Sequence, residues 1–182
     1  LAFAQVLQQL DEIKTMTATL TYQNLTIDLM SREPGRRRMV FPDGSIRITD
    51  LSQKKTLFLN PHEKKASFQE LTGSENPGSA NILDELKRLR LSAEKDLGQK
   101  EIDGRTAKGF QIRKEGTDWI IWVDPDTAYP VRIEFTGTVL MGGTKAVMDH
   151  FQFNVDLDAS LFALTVPEGY AVESKKAQSP HT

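Results

Sequence analysis

The chain has no cysteine in its 182 residues. That excludes disulfides, thiolate nucleophiles and thiolate-bound metal together, and it permits export without requiring it. Histidine is nearly as scarce: His62, His150 and His181 are the whole set. No two stand at the i, i+4 spacing of a helical metal site, and none sits in a ligand motif with Asp or Glu, so no metal is expected. Long apolar runs are also missing. No stretch suits a membrane-spanning helix, and the N-terminal LAFAQVLQQLDEIKTM lacks the basic region of a complete signal peptide. Nor does charge of one sign dominate. With 23 Lys and Arg against 25 Asp and Glu, a net charge of -2 gives no general attraction to nucleic acid or to an anionic membrane.

Catalytic motifs are absent as well. The GRR, GSI and GGT pieces lack the glycine spacing and following Lys and Ser/Thr of a phosphate loop. DPDTAYP, residues 124–130, has neither the glycine nor the closing glutamate of a calcium loop and reads as a turn. Ser45, Ser52 and Ser67 have no nucleophile-elbow context. Glu101, Glu134 and Asp149 are the carboxylates a hydrolase would use, but no motif pairs them, so neither an enzyme nor a cofactor is expected.

What is present is β-pattern in quantity. Phe3, Val6, Leu7, Leu10 and Ile13 recur at helical spacing with Gln5, Gln8, Gln9, Asp11 and Glu12 opposite, which predicts an amphipathic helix over 2–15. Strand-like runs follow from TMTATLTYQ to KASFQEL, separated by EPG at 33–35, PDG at 42–44 and NPHEK at 60–64. ILDELKRLR places Ile82, Leu83, Leu86 and Leu89 on one face of a second helix. Strands then resume with GFQIRK, WIIWV, PVRIEF and MDHFQFNV, and Gly142–Gly143 reads as a hairpin tip. WIIWV, residues 119–123, does not alternate, so that strand must be covered on both faces. The expected fold is α+β and mainly β: a curved antiparallel sheet or incomplete β-barrel whose concave face is covered by amphipathic helices. One domain spans 1–172, and the polar tail 173–182 is expected to lack fixed structure.

The stretch PGRRRMVFPDGSIRITDLSQKKTLFLNPHEKKASF resembles the outer-membrane lipoprotein carrier family, the LolA-like proteins with the related envelope-stress regulator RseB. The similarity lies in an Arg and Pro turn, a strand, a Pro-containing turn, and a Lys-Thr-Leu-aromatic strand closing on Asn60-Pro61. LDASLFALTVPEGYAV, residues 157–172, is similar to the family's closing signature, and IDGR, GFQI and WVDPDTAYPVRIEF to later strands of lipoprotein-sorting relatives. The resemblance implies a bacterial periplasmic protein with a helical lid over an apolar cavity for a lipid or lipoprotein acyl chain. It also implies that Arg32 latches the lid. LAFAQVLQQL looks like the start of an extracytoplasmic domain in single-pass relatives, so the full-length protein is expected to be membrane-tethered.

Alternation nominates the strand residues that face inward: Met39 and Phe41; Ile46 and Ile48; Leu57 and Leu59; Phe110 and Ile112; Val131, Ile133 and Phe135; Phe151 and Phe153. They would line a ligand cavity or fill an ordinary core, and the sequence leaves both open. Arg36, Arg37 and Arg38 stand where the carriers present aromatic residues. Unpaired guanidinium groups make a costly wall for lipid. Arg36 and Arg38 are therefore the expected surface for an envelope protein partner if the domain is a regulator or sensor without lipid cargo.

Overall fold

The computed structural model describes residues 1–72, 82–89, 94–114, 116–137 and 144–173. The expected Gly142–Gly143 tip and the tail beyond residue 173 lie outside them. Helix α1 (Phe3–Asp11) leads into β1 (Thr15–Tyr22), β2 (Leu25–Arg32), β3 (Arg36–Val40), β4 (Ile46–Asp50), β5 (Lys55–Asn60) and β6 (Lys65–Glu70). Helix α2 (Ile82–Arg88) precedes β7 (Glu94–Ile102), β8 (Arg105–Lys114), β9 (Thr117–Val123), β10 (Pro130–Gly137) and β11 (Lys145–Phe153). A 3-10 turn at Ala159–Phe162 and β12 (Ala171–Glu173) close the described chain, so residue 173 belongs to the sheet and not to the tail.

All twelve strands form one sheet in the order β12-β6-β5-β4-β3-β2-β1-β11-β10-β9-β8-β7. Its ends do not meet, so it is an open, curved sheet, as the sequence predicts. Neighbours are antiparallel except β12, which runs parallel to β6. The hairpins β1–β2 and β10–β11 place the N-terminal strands beside the C-terminal ones through β1–β11.

Both helices lie on the concave face. Val6 and Leu10 of the first with Ile13 just beyond it, and Leu83 and Leu86 of the second with Leu89 just beyond it, are almost wholly buried against Met16, Leu29, Ile112, Ile121, Ile133 and Met148 of the sheet. Helices of nine and seven residues are too short to persist alone in water. Each buried Leu or Ile contributes roughly 1.5–3 kcal/mol, so packing on the sheet and not propensity holds them. The first helix stops at Asp11, short of the expected 15, because Thr15 already pairs with Arg32 in the sheet.

The doubly apolar strand β9 is covered as its sequence demands. Trp119, Ile121 and Val123 join the core under the helices, with Trp119 stacked on Phe135 at 5.0 Å. Trp122 faces the other way and packs with Ile102, Ala107 and Val131 under the Lys100 ammonium, 4.3 Å from its ring. The opposing position on β8 is Gly109, and a Cβ built there would stand 2.5 Å from the Trp122 ring. Gly109→Ala should therefore destabilise the fold by roughly 1–3 kcal/mol through overpacking, read as a lower denaturant midpoint at unchanged slope.

Candidate functional site

Across the β3–β4 hairpin the sheet exchanges its apolar face. Met39 pairs with Arg47, so the side of β3 that faces the helices continues on β4 as Ser45, Arg47 and Thr49. From there through β6 the concave face is polar or mixed: Phe58 opposes Arg47, Ser67 opposes Phe58, and Thr49 and Thr56 share a buried hydrogen bond of 3.0 Å. The outer face of the same strands is apolar. Ile48, Leu57, Leu59 and Ala66 form a second core there, packed with Ile46, Phe68, Leu164, Val166 and Tyr170. The C-terminal segment is thus a strap over the outer face, as the helices are a cover over the inner one.

This geometry sorts the expected cavity residues into two groups. Met39, Phe110, Ile112, Ile133 and Phe135 lie in the core under the helices, with Phe41, Phe151 and Phe153 at its margin. Ile46, Ile48, Leu57 and Leu59 do not face that core: the hairpin register turns them outward beneath the strap. Val131 also departs, because a register shift between Pro130 and Arg132 sends it to the Trp122 cluster.

Arg32 lies on the outer face, since Ile27, Leu29 and Ser31 occupy the concave parity of β2. Its Nη1 donates to the Leu157 carbonyl at 2.9 Å, so it latches the strap and not the helices. Arg38 does the same from β3, donating to the Leu161 carbonyl at 3.2 Å. Arg38 is therefore committed to the fold, while Arg36 stands half-buried on the same face. The helices are latched instead by Lys87, which donates to the Ile13 carbonyl at 2.9 Å and bonds the Glu33 carboxylate, with Lys14 3.5 Å from the same carboxylate. Lys114 donates to the Arg88 carbonyl at 2.7 Å and Lys108 to that of Leu1 at 3.0 Å, so lysines hold the ends of both helices. Nothing in the local sequence pattern marks Lys87 and Glu33 as partners.

Beside the main core an open groove of about 530 Å3 is lined by Tyr129, Phe151, Phe153, Val131, Arg105 and His150, with Asp103 and Asp124 among its polar groups. Tyr129 stacks on Phe153 at 5.0 Å and Phe153 near Phe151 at 5.3 Å, with interplanar angles of 12° and 13°. All three rings pack against the core under the helices. The apolar interior is continuous with a solvent-accessible aromatic slab.

Of the three carboxylates weighed as acid/base groups, Glu134 and Asp149 have structural partners. Glu134 bonds Lys145 at 3.0 Å and Arg132 at 3.2 Å. Burial opposes its ionisation, but the Lys145 bond and the surrounding Lys145, Arg132 and Lys100 charges outweigh that and hold its pKa below the usual value. Asp149 bonds exposed His150 at 2.7 Å, which raises the imidazole pKa. Glu101 is exposed at the β7 edge. Among the described residues no cluster of His, Asp or Glu could hold a metal, and no helix is long and apolar enough to cross a membrane.

The polypeptide from residue 79 to 173 matches the family described as "Predicted periplasmic protein (DUF2092)". The chain belongs to this family. The matched segment contains the second helix, β7–β12 and every residue of the aromatic groove, and the family places the DUF2092 chain in the periplasm, as its sequence suggests. No curated protein matches the sequence. Among solved structures, an uncharacterized conserved protein from Thermus thermophilus shares the fold at a TM-score of 0.58 and 11% identity, covering 95% of this chain and 99% of its own. The lipoprotein LppX of Mycobacterium tuberculosis does so at 0.56 and 10% identity, covering 86% and 94%, and LprF of Mycobacterium bovis at 0.51 and 10%, covering 92% and 96%. The DUF2092 chain has the LolA-like fold.

Two measurements test this geometry. Because the depressed Glu134 pKa stabilises the fold above the unfolded value and ceases to do so as pH falls through the folded value, wild-type stability should drop on acidification below about pH 4.5. Glu134→Gln should be less stable at pH 7 and show a shallower acid loss, measured by denaturant unfolding across pH. Arg32→Ala should raise amide exchange in 157–173 at least tenfold while leaving 3–13 protected, since a charged donor bond of about 1.5–3 kcal/mol is lost from the strap alone.

Proposed function

We propose that this periplasmic DUF2092 protein is a non-enzymatic binding domain that holds a lipid or lipoprotein acyl chain at the concave face of its sheet. The observation that carries this reading is the continuity between the helix-covered core and the open groove of about 530 Å3 through Tyr129, Phe153 and Phe151. Such a groove lies in the usual size range of small-molecule sites, roughly 300–1,000 Å3, and offers apolar surface with a few polar groups at its rim. Short helices held by non-covalent packing on the sheet and by lysine contacts at their ends, and not by their own propensity, can yield to an entering chain at lower cost than a covalently closed core. The alternative of a regulator binding a protein through Arg36 and Arg38 loses Arg38, whose guanidinium holds the strap.

Native mass spectrometry of freshly purified protein, followed by organic extraction, tests the proposal. A stoichiometric adduct removed by extraction supports it, and a bare mass unchanged after incubation with acyl lipids contradicts it. Replacing both Phe151 and Phe153 with Ala should weaken binding of a long-chain acyl probe by tenfold or more, which corresponds to about 1.4 kcal/mol. Glu101→Gln should leave binding unchanged.

A further inference from the structure

The polar end of the concave face contains a second site. A groove of about 380 Å3 is lined there by Phe41, Ser45, Arg47, Phe58, Lys65 and Ser67, together with Glu63 and Glu173. It shares no lining residue with the aromatic groove. Arg47 is flanked from the strands on either side: its guanidinium carbon lies 5.3 Å from the Phe41 ring centroid and 4.9 Å from that of Phe58. The rings fix the guanidinium without neutralising it. Among the described residues no carboxylate lies within ion-pair distance of Arg47, and its buried Nε–H has no acceptor. A buried donor left unsatisfied is costly, so the site favours an incoming acceptor.

Two features define that acceptor. Lys65 lies 3.4 Å from both Glu63 and Glu173, so two carboxylates share one ammonium and this part of the lining is net negative. Its repulsion doubles for a dianion, so a single charge is the better match. The apolar side chains on this face of the groove are the Phe41 and Phe58 rings, so the rest of the ligand is apolar. A planar guanidinium fork matches the two oxygens of a carboxylate.

We propose that Arg47, held between Phe41 and Phe58, is the anchor of a binding site for a singly charged carboxylate borne on an apolar body, of the medium-chain fatty-acid class.

The probes are octanoate, octan-1-ol, acetate and inorganic phosphate, titrated into the full chain by calorimetry with amide shifts of Ser45 and Ser67 locating the site. Octanoate should bind at least tenfold more tightly than octan-1-ol and more tightly than acetate or phosphate. Arg47→Met, which keeps the stacked apolar stem, should remove that preference; Arg47→Lys, which keeps the charge but not the fork, should retain part of it, each at a melting temperature close to wild type. Equal binding of octanoate and octan-1-ol, tighter binding of phosphate, no octanoate binding, or an undiminished preference in Arg47→Met would each overturn the assignment. A bare native mass bears on the acyl-chain site alone, and loss of the octanoate preference bears on Arg47 alone.

Discussion

A sheet of twelve strands has two faces, and each apolar stretch of either must be taken out of water by something else in the chain. The structure meets this constraint by exchanging faces across the β3–β4 hairpin. On one side of it the inner face is apolar and two short helices cover it; on the other the outer face is apolar and the C-terminal strap covers it. Every other feature follows. The helices can be short because the sheet supplies their stability, and the strap can be largely irregular because Ile48, Leu57 and Leu59 give it a surface to bury.

Charged side chains fasten these covers, and the fasteners differ. Lys87 and Glu33 join the second helix to the start of the sheet, whereas Arg32 and Arg38 reach through the outer face to carbonyls of the strap. Guanidinium groups that looked like a wall hostile to lipid are largely engaged elsewhere. The apolar interior under the helices therefore coexists with an arginine-rich strand, because alternation sends Arg36 and Arg38 outward and only Arg37 inward. The exchange of faces also leaves the concave surface chemically divided, apolar beneath the helices and polar-aromatic around Arg47.

Most of the fold was legible in the sequence because period-2 and period-3.6 patterns are local. The helices, the strands and the double covering of Trp119–Val123 were read from neighbours alone. The relative facing of β3 and β4 was not, since parity within a strand says nothing about parity in the next until the register is known. The loop 41–45 pairs odd residues with odd ones, so Met39 shares a face with Arg47 and not with Ile46. Reading that loop length would have removed Ile46, Ile48, Leu57 and Leu59 from the expected cavity. Val131 was hidden by a bulge, and Arg32 by a partner 125 residues away. Arg47 escaped notice because a lone arginine in SIRITD draws less attention than three in a row.

On the proposed reading, apolar ligand enters beneath the helices, on the inner face of β9. Trp119 and Trp122 stand on opposite sides of that strand, both almost fully buried, so they report the two faces separately. The direct measurement is fluorescence quenching by a brominated long-chain acyl lipid in the single-tryptophan variants Trp122→Phe and Trp119→Phe. On this reading, saturable quenching of Trp119 should exceed that of Trp122, whose neighbours Ile102 and Val131 reach only the groove's edge. Quenching of Trp122 alone, of both equally, or of neither would contradict it.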